Sequence, residues 1–277
     1  MTPLVYILIA NWNGKQTTLE CLESIRRISY RPYRTLVIDN ASSDGSPQAI
    51  RDAEPEVEVL VQQHNLRYAG AMNAGMRYAL AQGAGCVVVM NNDVLVHPEL
   101  LSHLVAAAER DPRAGLVAPK IFYHAAPTRI WYAGGKISFW TGTMAHRGIR
   151  DVDRGQYDRP ELTDYATGCC VLATRALIER VGMLDPSYYM YAEDADWSLR
   201  ARRAGFSVLY EPRAVLWHRV SVSAGGHLSR FKLWNKFRGN LQFFSRHASW
   251  YHWLVFPWLS VAVNVWAMVR YLVRRRT

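Results

Sequence analysis

Acidic residues are the minority charge: 23 Asp and Glu stand against 33 Lys and Arg, a formal net charge of +10. That balance admits nucleic acid, anionic lipid or a polyanionic substrate as partners. Pattern argues against nucleic acid, because the cations are dispersed, no zinc-finger spacing occurs and no basic helix runs into heptads. Cysteine is scarce as well. Cys21, Cys86, Cys169 and Cys170 have no metal-ligand spacing and read as reduced thiols packed as small hydrophobes. No Gly-Lys-Ser/Thr closes a phosphate loop, no dinucleotide fingerprint is present, and no Gly-x-Ser-x-Gly elbow occurs. P-loop hydrolysis, nicotinamide redox chemistry and serine-nucleophile hydrolysis are thereby disfavoured. The chain runs straight into an apolar stretch with no basic leader, so a cytoplasmic location is expected.

What is present is a repeating alternation. Half of the residues are hydrophobic and 12 % are aromatic, which supplies one large core. Leu4 to Ala10 is an unbroken apolar run and reads as a strand covered on both faces. Leu19, Leu22, Ile25 and Ile28 mark one face of a helix over 17–28. Strands are predicted over 35–39, 57–61 and 86–90, and helices over 71–82 and 98–110. The order predicts an α/β fold with a Rossmann-like, mostly parallel central sheet flanked by helices. Ligands of such sheets bind beyond the carboxyl ends of the strands. Asn11-Trp12-Asn13, Asp39-Asn40 and Asn91-Asn92-Asp93 stand at those ends. Residues 134–165 lack periodicity and read as a loop or short hairpins over the site. Order returns with a strand over 168–174, helices over 175–181 and 193–204, and strands over 206–210 and 214–217.

Several of these positions carry chemistry. Asp93, at the tip of a buried strand, is placed to hold a divalent cation through oxygen, although Asn and Asp there also suit a turn. Asp39 is a candidate acceptor for a base or ribose, while Ser42, Ser43 and Asp44 read as a loop with a helix cap. Asn65 to Gly75 opens a helix with small residues, which brings amides close to phosphate. His218 reads equally as a structural histidine or as a nitrogen ligand of the same cation. The densest feature is Tyr191-Ala192-Glu193-Asp194-Ala195-Asp196-Trp197. Carboxylates this close resist being ionised together, which lifts one toward the range of a general base. Asp196 reads as a helix N-terminal residue facing the dipole, and Arg200, Arg202 and Arg203 as helix surface. Trp131, Gly134, Gly135 and Tyr191 are candidates for an acceptor platform, with core packing a close competitor for Trp131.

Taken in order, Ile9 to Gly14, Val37 to Gly45, Asn65 to Gly75, Asn91-Asn92-Asp93, Tyr165 to Cys170, Gly182 to Asp185, Tyr191 to Asp196 and Trp217-His218 resemble the family 2 glycosyltransferases. These are inverting nucleotide-sugar enzymes of the GT-A fold, and the chain looks most like their bacterial rhamnosyltransferase-like members. The resemblance runs from Leu4 to about Gly226. It implies that Ala10, Asn11, Asn13, Asp39, Asn65, Gly70, Asn73, Asn91 and Asn92 bind the nucleotide and donor. It implies Asp93 and His218 as ligands of Mg²⁺ or Mn²⁺, and Asp194 as the base with Glu193 beside it. Asn91 departs from the family's first acidic position, and Trp12 stands where Tyr is usual. The implied partners are a nucleoside-diphosphate sugar donor and a glycan or lipid-linked acceptor of cell-surface polysaccharide synthesis. Two alternatives remain at this point: a sugar-phosphate nucleotidyltransferase, and a non-catalytic nucleotide-sugar-binding or membrane scaffold protein.

The C-terminus changes character. Residues 253–269 carry no formal charge, a length at the lower limit of a membrane span. Pro257 and Asn264 interrupt the stretch, Trp250, Trp253, Trp258 and Trp266 give it interfacial aromatics, and Arg270 with Arg274 to Arg276 would suit anionic headgroups. A shallow anchor, a true span and a core or oligomer helix are all open readings. The expected organisation is a catalytic domain over 1–226, with its donor half at 1–120 and its acceptor half at 121–226. A helical, membrane-associating segment would follow over 227–277, at the inner face of the cell membrane.

Overall fold

The first apolar run lies wholly inside: Val5, Tyr6, Ile7, Leu8 and Ile9 have no exposed surface. The computed structural model describes residues 2–220, 230–255 and 258. That run is β1 (Val5–Asn11), which is followed by α1 (Lys15–Arg26), β2 (Tyr33–Asp39), α2 (Ser46–Ala53), β3 (Glu58–Val61), α3 (Arg67–Ala81) and β4 (Cys86–Met90). Next come β5 (Val94–Val96), α4 (Leu100–Arg110), β6 (Ala114–Tyr123), β7 (Ala126–Tyr132) and the hairpin β8 (Gly135–Ser138) with β9 (Thr143–His146). The chain continues through β10 (Glu161–Leu162), β11 (Cys170–Thr174), α5 (Arg175–Val181), α6 (Glu193–Arg203), β12 (Ser207–His218) and α7 (Arg230–His247).

One large sheet runs in the order β10-β12-β6-β11-β4-β1-β2-β3. β1 pairs in parallel with β2 and β4, and β2 with β3, as the alternation predicts. β11 breaks the pattern by lying antiparallel between β4 and β6. A five-residue apolar run carries no mark of its direction, so periodicity could place this strand but not orient it. The two strands predicted over 206–210 and 214–217 are one, β12, with a register shift between Glu211 and Val215. Glu211 is fully buried there, and its carboxylate accepts hydrogen bonds from Arg213 and Arg110. The cations on both sides make an acidic residue tolerable inside a strand.

A second, smaller core gathers Tyr165, Tyr188, Ala192, Ala195, Leu199, Phe243 and Phe244, with Phe139 and Trp253 packed against it. Helix α7 therefore belongs to the folded body, stacking Phe243 on Phe139 of the hairpin at 6.1 Å. Asp196 pins it. Predicted as a dipole partner at a helix end, this side chain is buried and accepts from Arg200 Nε at 2.7 Å, with His247 Nε2 of α7 also at 2.7 Å. Burial works to raise its pKa, but the bonds to His247 and Arg200 outweigh it and hold the carboxyl below the usual range. Replacing Asp196 with Asn should cost about 2 kcal/mol in urea unfolding at neutral pH, since a charged acceptor of several bonds is lost. The deficit should shrink in acid, because the wild-type contribution is itself lost as pH falls through the depressed pKa.

Of the apolar stretch 253–269, only residues 253–255 and 258 are described; the rest, the terminal arginines and the boundary at 226 lie outside the described residues. Among the described residues no helix is long and apolar enough to cross a membrane.

Candidate active site at the carboxyl edge of the sheet

The strand ends meet in one hydrogen-bonded network. Asp39 closes β2 with no exposed surface, and its carboxylate accepts from Asn11 Nδ2 at 2.7 Å, Ser42 Oγ at 2.7 Å and Ser42 N at 2.9 Å. Asn11, at the end of β1, accepts from Thr18 Oγ1 at 2.8 Å, and Asn92 Nδ2 donates to Thr18 at 2.9 Å. Asn13, in the left-handed region at φ 50°, accepts from Ser43 N at 2.8 Å. Gly14 lets Asn92 approach: a Cβ there would sit 2.6 Å from Asn92 Nδ2. Trp12 stands exposed beside this floor, and Ala10 pairs with Ile38 behind it. Thr18 has no mark in the sequence, because a hydroxyl on a helix has no periodic signal, while Ser42, expected in a loop with a helix cap, holds the Asp39 carboxylate instead.

Helix α3 enters beside the same floor. Asn40 Oδ1 accepts from Leu66 N at 3.2 Å, and Asn65 Oδ1 accepts from Arg67 N at 2.8 Å. Gly70 packs on Leu66, where a Cβ would be 2.9 Å from its Cβ. Asn73 is turned inward: it donates to Leu184 O at 2.7 Å and accepts from Leu184 N at 3.1 Å, which ties the 182–185 turn to α3. Its amide is thus spent on backbone, away from the floor formed by Asn11 and Asp39. Tyr68, overlooked in the sequence, reaches across and donates to Gly168 O.

Sheet register places the cation candidates together. β5 runs antiparallel to β12, with His218 opposite Val94, so Asp93 and His218 are neighbours although 125 positions apart. Asp93 Oδ1 lies 3.1 Å from His218 Nε2, yet no hydrogen bond forms, and Asp93 Oδ1 and His218 Nδ1 are buried without partners. Buried polar atoms rarely go unpaired. Asp93 Oδ1 and His218 Nε2 face each other, a carboxylate oxygen without a hydrogen-bond partner beside an imidazole nitrogen, and such a pair fits a divalent cation as a shared third party. Among the described residues no group of three or more His, Cys, Asp and Glu side chains gathers, so this pair would leave most coordination positions to a ligand. Asn91 sits on the same turn, its N–H bonded to Cys169 O at 3.0 Å. Trp131 packs edge-on against His218, with ring centroids 4.6 Å apart, and against His146 at 4.4 Å. Arg219, also missed, follows His218 and pairs with Glu20, while its Nε is buried without a partner.

The carboxylate pair faces this edge from α6. Tyr191 and Ala192 both adopt left-handed backbone, at φ 69° and 71°, and this turn delivers Glu193 and Asp194 at the helix start. Asp194 Oδ2 accepts from Gly168 N at 2.8 Å and its Oδ1 from Ala195 N at 2.8 Å. Glu193 Oε2 is buried with no partner. Burial raises the Asp194 pKa, against the two amides that favour its charge. Burial, then the Asp194 charge, pushes Glu193 up to about 8. Two buried carboxylates this close resist being ionised together, and the amides of Gly168 and Ala195 favour the charge on Asp194 rather than on Glu193. Burial first, then the charges of Glu193 and Asp194, also raises Tyr68. Cys169 links the two halves of the site: burial pushes its thiol up, and both Asp93 and Asp194 add to that.

The Glu193 shift has a consequence for stability. The native state holds a proton that the unfolded chain releases in the ordinary carboxylate range, so stability should fall as pH rises from there to about 8. Glu193→Gln should flatten that slope in denaturant titrations run at several pH values, and an unchanged slope would refute the assignment.

Gly134 and Gly135, candidates for the acceptor platform, are used by the surrounding packing. Gly135 N donates to Thr163 Oγ1, and a Cβ on Gly135 would sit 2.3 Å from the Tyr165 ring. Gly135→Ala should destabilise the fold by about 1–3 kcal/mol, through overpacking, in a urea unfolding experiment.

Comparison with known proteins agrees with this geometry. The sequence model of the Glycosyl transferase family 2 matches residues 6–182. Over 244 residues the chain is 29 % identical to an N-acetylglucosaminyl-diphospho-decaprenol L-rhamnosyltransferase of Mycobacterium tuberculosis, covering 81 % of this chain and 79 % of the relative. A low-salt glycan biosynthesis hexosyltransferase of Haloferax volcanii is 21 % identical over 98 % of this chain and 85 % of its own. The fold resembles that of a mannosyltransferase of Pyrobaculum calidifontis solved with GDP-Man and Mn²⁺, with a TM-score of 0.65 at 18 % identity, covering 96 % of this chain and 74 % of that one. With its sheet, its strand-end network and its carboxylate helix in place, the chain belongs to glycosyltransferase family 2 and is a glycosyltransferase of GT-A fold.

Proposed function

We propose that this enzyme moves a sugar, rhamnose by its likeness to the mycobacterial relative, from a nucleoside-diphosphate donor to a hydroxyl of a lipid-linked glycan, with inversion at the anomeric carbon. The observation that carries this reading is the pairing of two unlike centres across Cys169. On one side Asp93 Oδ1, buried without a hydrogen-bond partner, lies 3.1 Å from His218 Nε2; on the other Asp194 accepts from the amides of Gly168 and Ala195 beside Glu193, whose burial pushes its pKa up.

The nucleotide end of the pocket is the network of Asn11, Asn13 and Asp39, with Trp12 as its exposed aromatic wall. Asn65 and Gly70 at the start of α3, with Asn91 and Asn92 on the facing turn, border the donor. Asn73 acts from behind, by fixing the 182–185 turn. Asp93 and His218 would hold a divalent ion, Mn²⁺ or Mg²⁺, which when bound offsets the charge of the departing diphosphate. Asp194 takes the proton of the acceptor hydroxyl. Its two amide bonds aim the carboxylate and keep it charged, while Glu193 donates no competing negative charge at neutral pH. One base and one displacement give inversion. Trp131 and Tyr191 border the acceptor side, and Gly134 and Gly135 shape it through the seat of Tyr165. Product release at the inner face of an anionic membrane would serve cell-surface polysaccharide synthesis.

The test uses deoxythymidine-diphosphate-rhamnose, Mn²⁺ and a diphospholipid-linked N-acetylglucosamine acceptor, with the new linkage assigned by NMR. Release of nucleoside diphosphate with an inverted linkage is expected. Release of pyrophosphate from a nucleoside triphosphate and a sugar phosphate would point to a nucleotidyltransferase, and binding without turnover to a scaffold.

A further inference from the structure

We propose that the outer face of α7 is a docking surface for an anionic lipid bilayer. At 3.6 residues per turn, Leu233, Trp234, Phe237 and Leu241 fall on one face of this 18-residue helix. All four are exposed, by 54 %, 63 %, 58 % and 45 %. They lie roughly opposite Asn235, Gly239 and Phe243, which the fold buries. Isolated exposed apolar residues are ordinary; a stripe of four on one helix, two of them aromatic, is not. The stripe is flanked by exposed cations, with Lys236 on one side and Arg238 on the other. This is the arrangement of a helix lying in a membrane interface, with apolar side chains in the acyl boundary and cations at the headgroups. Beyond the helix Trp250, Leu254 and Trp258 continue as exposed apolar residues at a spacing of four.

Charge selects the occupant. No Asp or Glu follows Glu211, so the excess of positive charge on this chain is carried by the residues after it. A second copy seated on the same face by a two-fold axis would bring Lys236 and Arg238 against their own kind. An anionic headgroup layer, by contrast, attracts each of them.

The inner face of the same helix touches the catalytic turn. A Cβ on Gly239 would sit 2.7 Å from Tyr191 O and 3.0 Å from Met190 O, so α7 backs directly onto the turn that presents Glu193 and Asp194. One helix diameter, about 10 Å, then separates the lipid-facing stripe from that turn. The surface deepens the lipid-linked acceptor reading, and it rests on that reading only for its purpose, because vesicle binding is read apart from sugar transfer.

Sedimentation of the full chain with phosphatidylcholine vesicles, alone or mixed with phosphatidylglycerol, tests the proposal. Binding to the mixed vesicles, weak binding to the neutral ones, and a loss with added salt are expected. Trp234→Ser with Phe237→Ser should weaken binding by at least about tenfold, from lost apolar burial. Lys236→Glu with Arg238→Glu should do the same while keeping the apolar stripe. Both variants should keep the wild-type Tm and the wild-type rate on a water-soluble acceptor. If a variant fails to fold, quenching of tryptophan emission by brominated acyl chains in the wild-type chain serves instead. Absent quenching, equal binding to neutral vesicles, or undiminished binding by both variants would overturn the proposal. So would a dimer, seen by analytical ultracentrifugation, that the Trp234 and Phe237 changes dissolve without altering vesicle binding.

Discussion

Asp194→Asn will lower kcat by about three orders of magnitude while donor affinity stays at its wild-type value, and Glu193→Gln at pH 7 will keep most of its rate. The two carboxylates are adjacent and both buried, yet the site treats them differently. Asp194 is fixed by the amides of Gly168 and Ala195, which favour its charged form, and an amide side chain in its place takes no proton from an acceptor. Glu193 has no donor on its buried oxygen and already carries a proton at neutral pH, so Gln resembles its resting state. The acid limb of the rate profile should follow the raised pKa of Asp194: activity grows as pH climbs through it, because only the ionised form accepts a proton. Steady-state rates of the two variants from acid to neutral pH, alongside donor titration by calorimetry, make the comparison. Equal losses for both, or an inert Asp194→Asn substitution, would reverse or remove the base assignment.

Asp93→Ala is expected to cost about two to three orders of magnitude in kcat/KM, and His218→Ala about one to two. The larger loss falls on Asp93 because it brings charge as well as a lone pair. A site built from one carboxylate and one imidazole also favours Mn²⁺ over Mg²⁺, since imidazole suits the softer ion and Mg²⁺ prefers oxygen. Chelation should abolish transfer, and Mn²⁺ should restore more of it than Mg²⁺ in the wild type. In His218→Ala the two ions should become nearly equivalent, with most of the change in Mn²⁺ affinity. Retention of full activity after exhaustive chelation would discard the cation, and an unchanged ion preference in His218→Ala would discard the histidine as a ligand.

Much of this site is legible in the chain because strand ends and ligand crevices coincide. β4 was placed to the residue over 86–90, and that alone puts Asn91, Asn92 and Asp93 at the carboxyl edge. The carboxylate cluster announced itself by density. What pattern could not supply was direction and partnership. Nothing in Cys170 to Thr174 says that β11 runs antiparallel, and only that direction brings the Gly168 amide to Asp194. Asp196 looked like a helix-end charge because its partner His247 lies 51 positions away on a helix of another segment. Asn73 shares a motif with Asn65 and Gly70, yet α3 rotates it toward Leu184. Thr18 and Tyr68 act through single hydroxyls, which leave no trace in hydropathy or spacing.

Gly239 bears on where this protein can be divided. A boundary near residue 226 looks natural on composition, since apolar and basic sequence follows it. Yet the helix beyond carries Phe243 and Phe244 into the core shared with Tyr165 and Tyr188, and presses its backbone on the carbonyls of Met190 and Tyr191. A chain cut there would leave the turn before Glu193 without the helix that packs against it. The C-terminal helix is thus not a detachable module: fusions, truncations and domain exchanges in this protein have to treat residues 230–247 as part of the folded body.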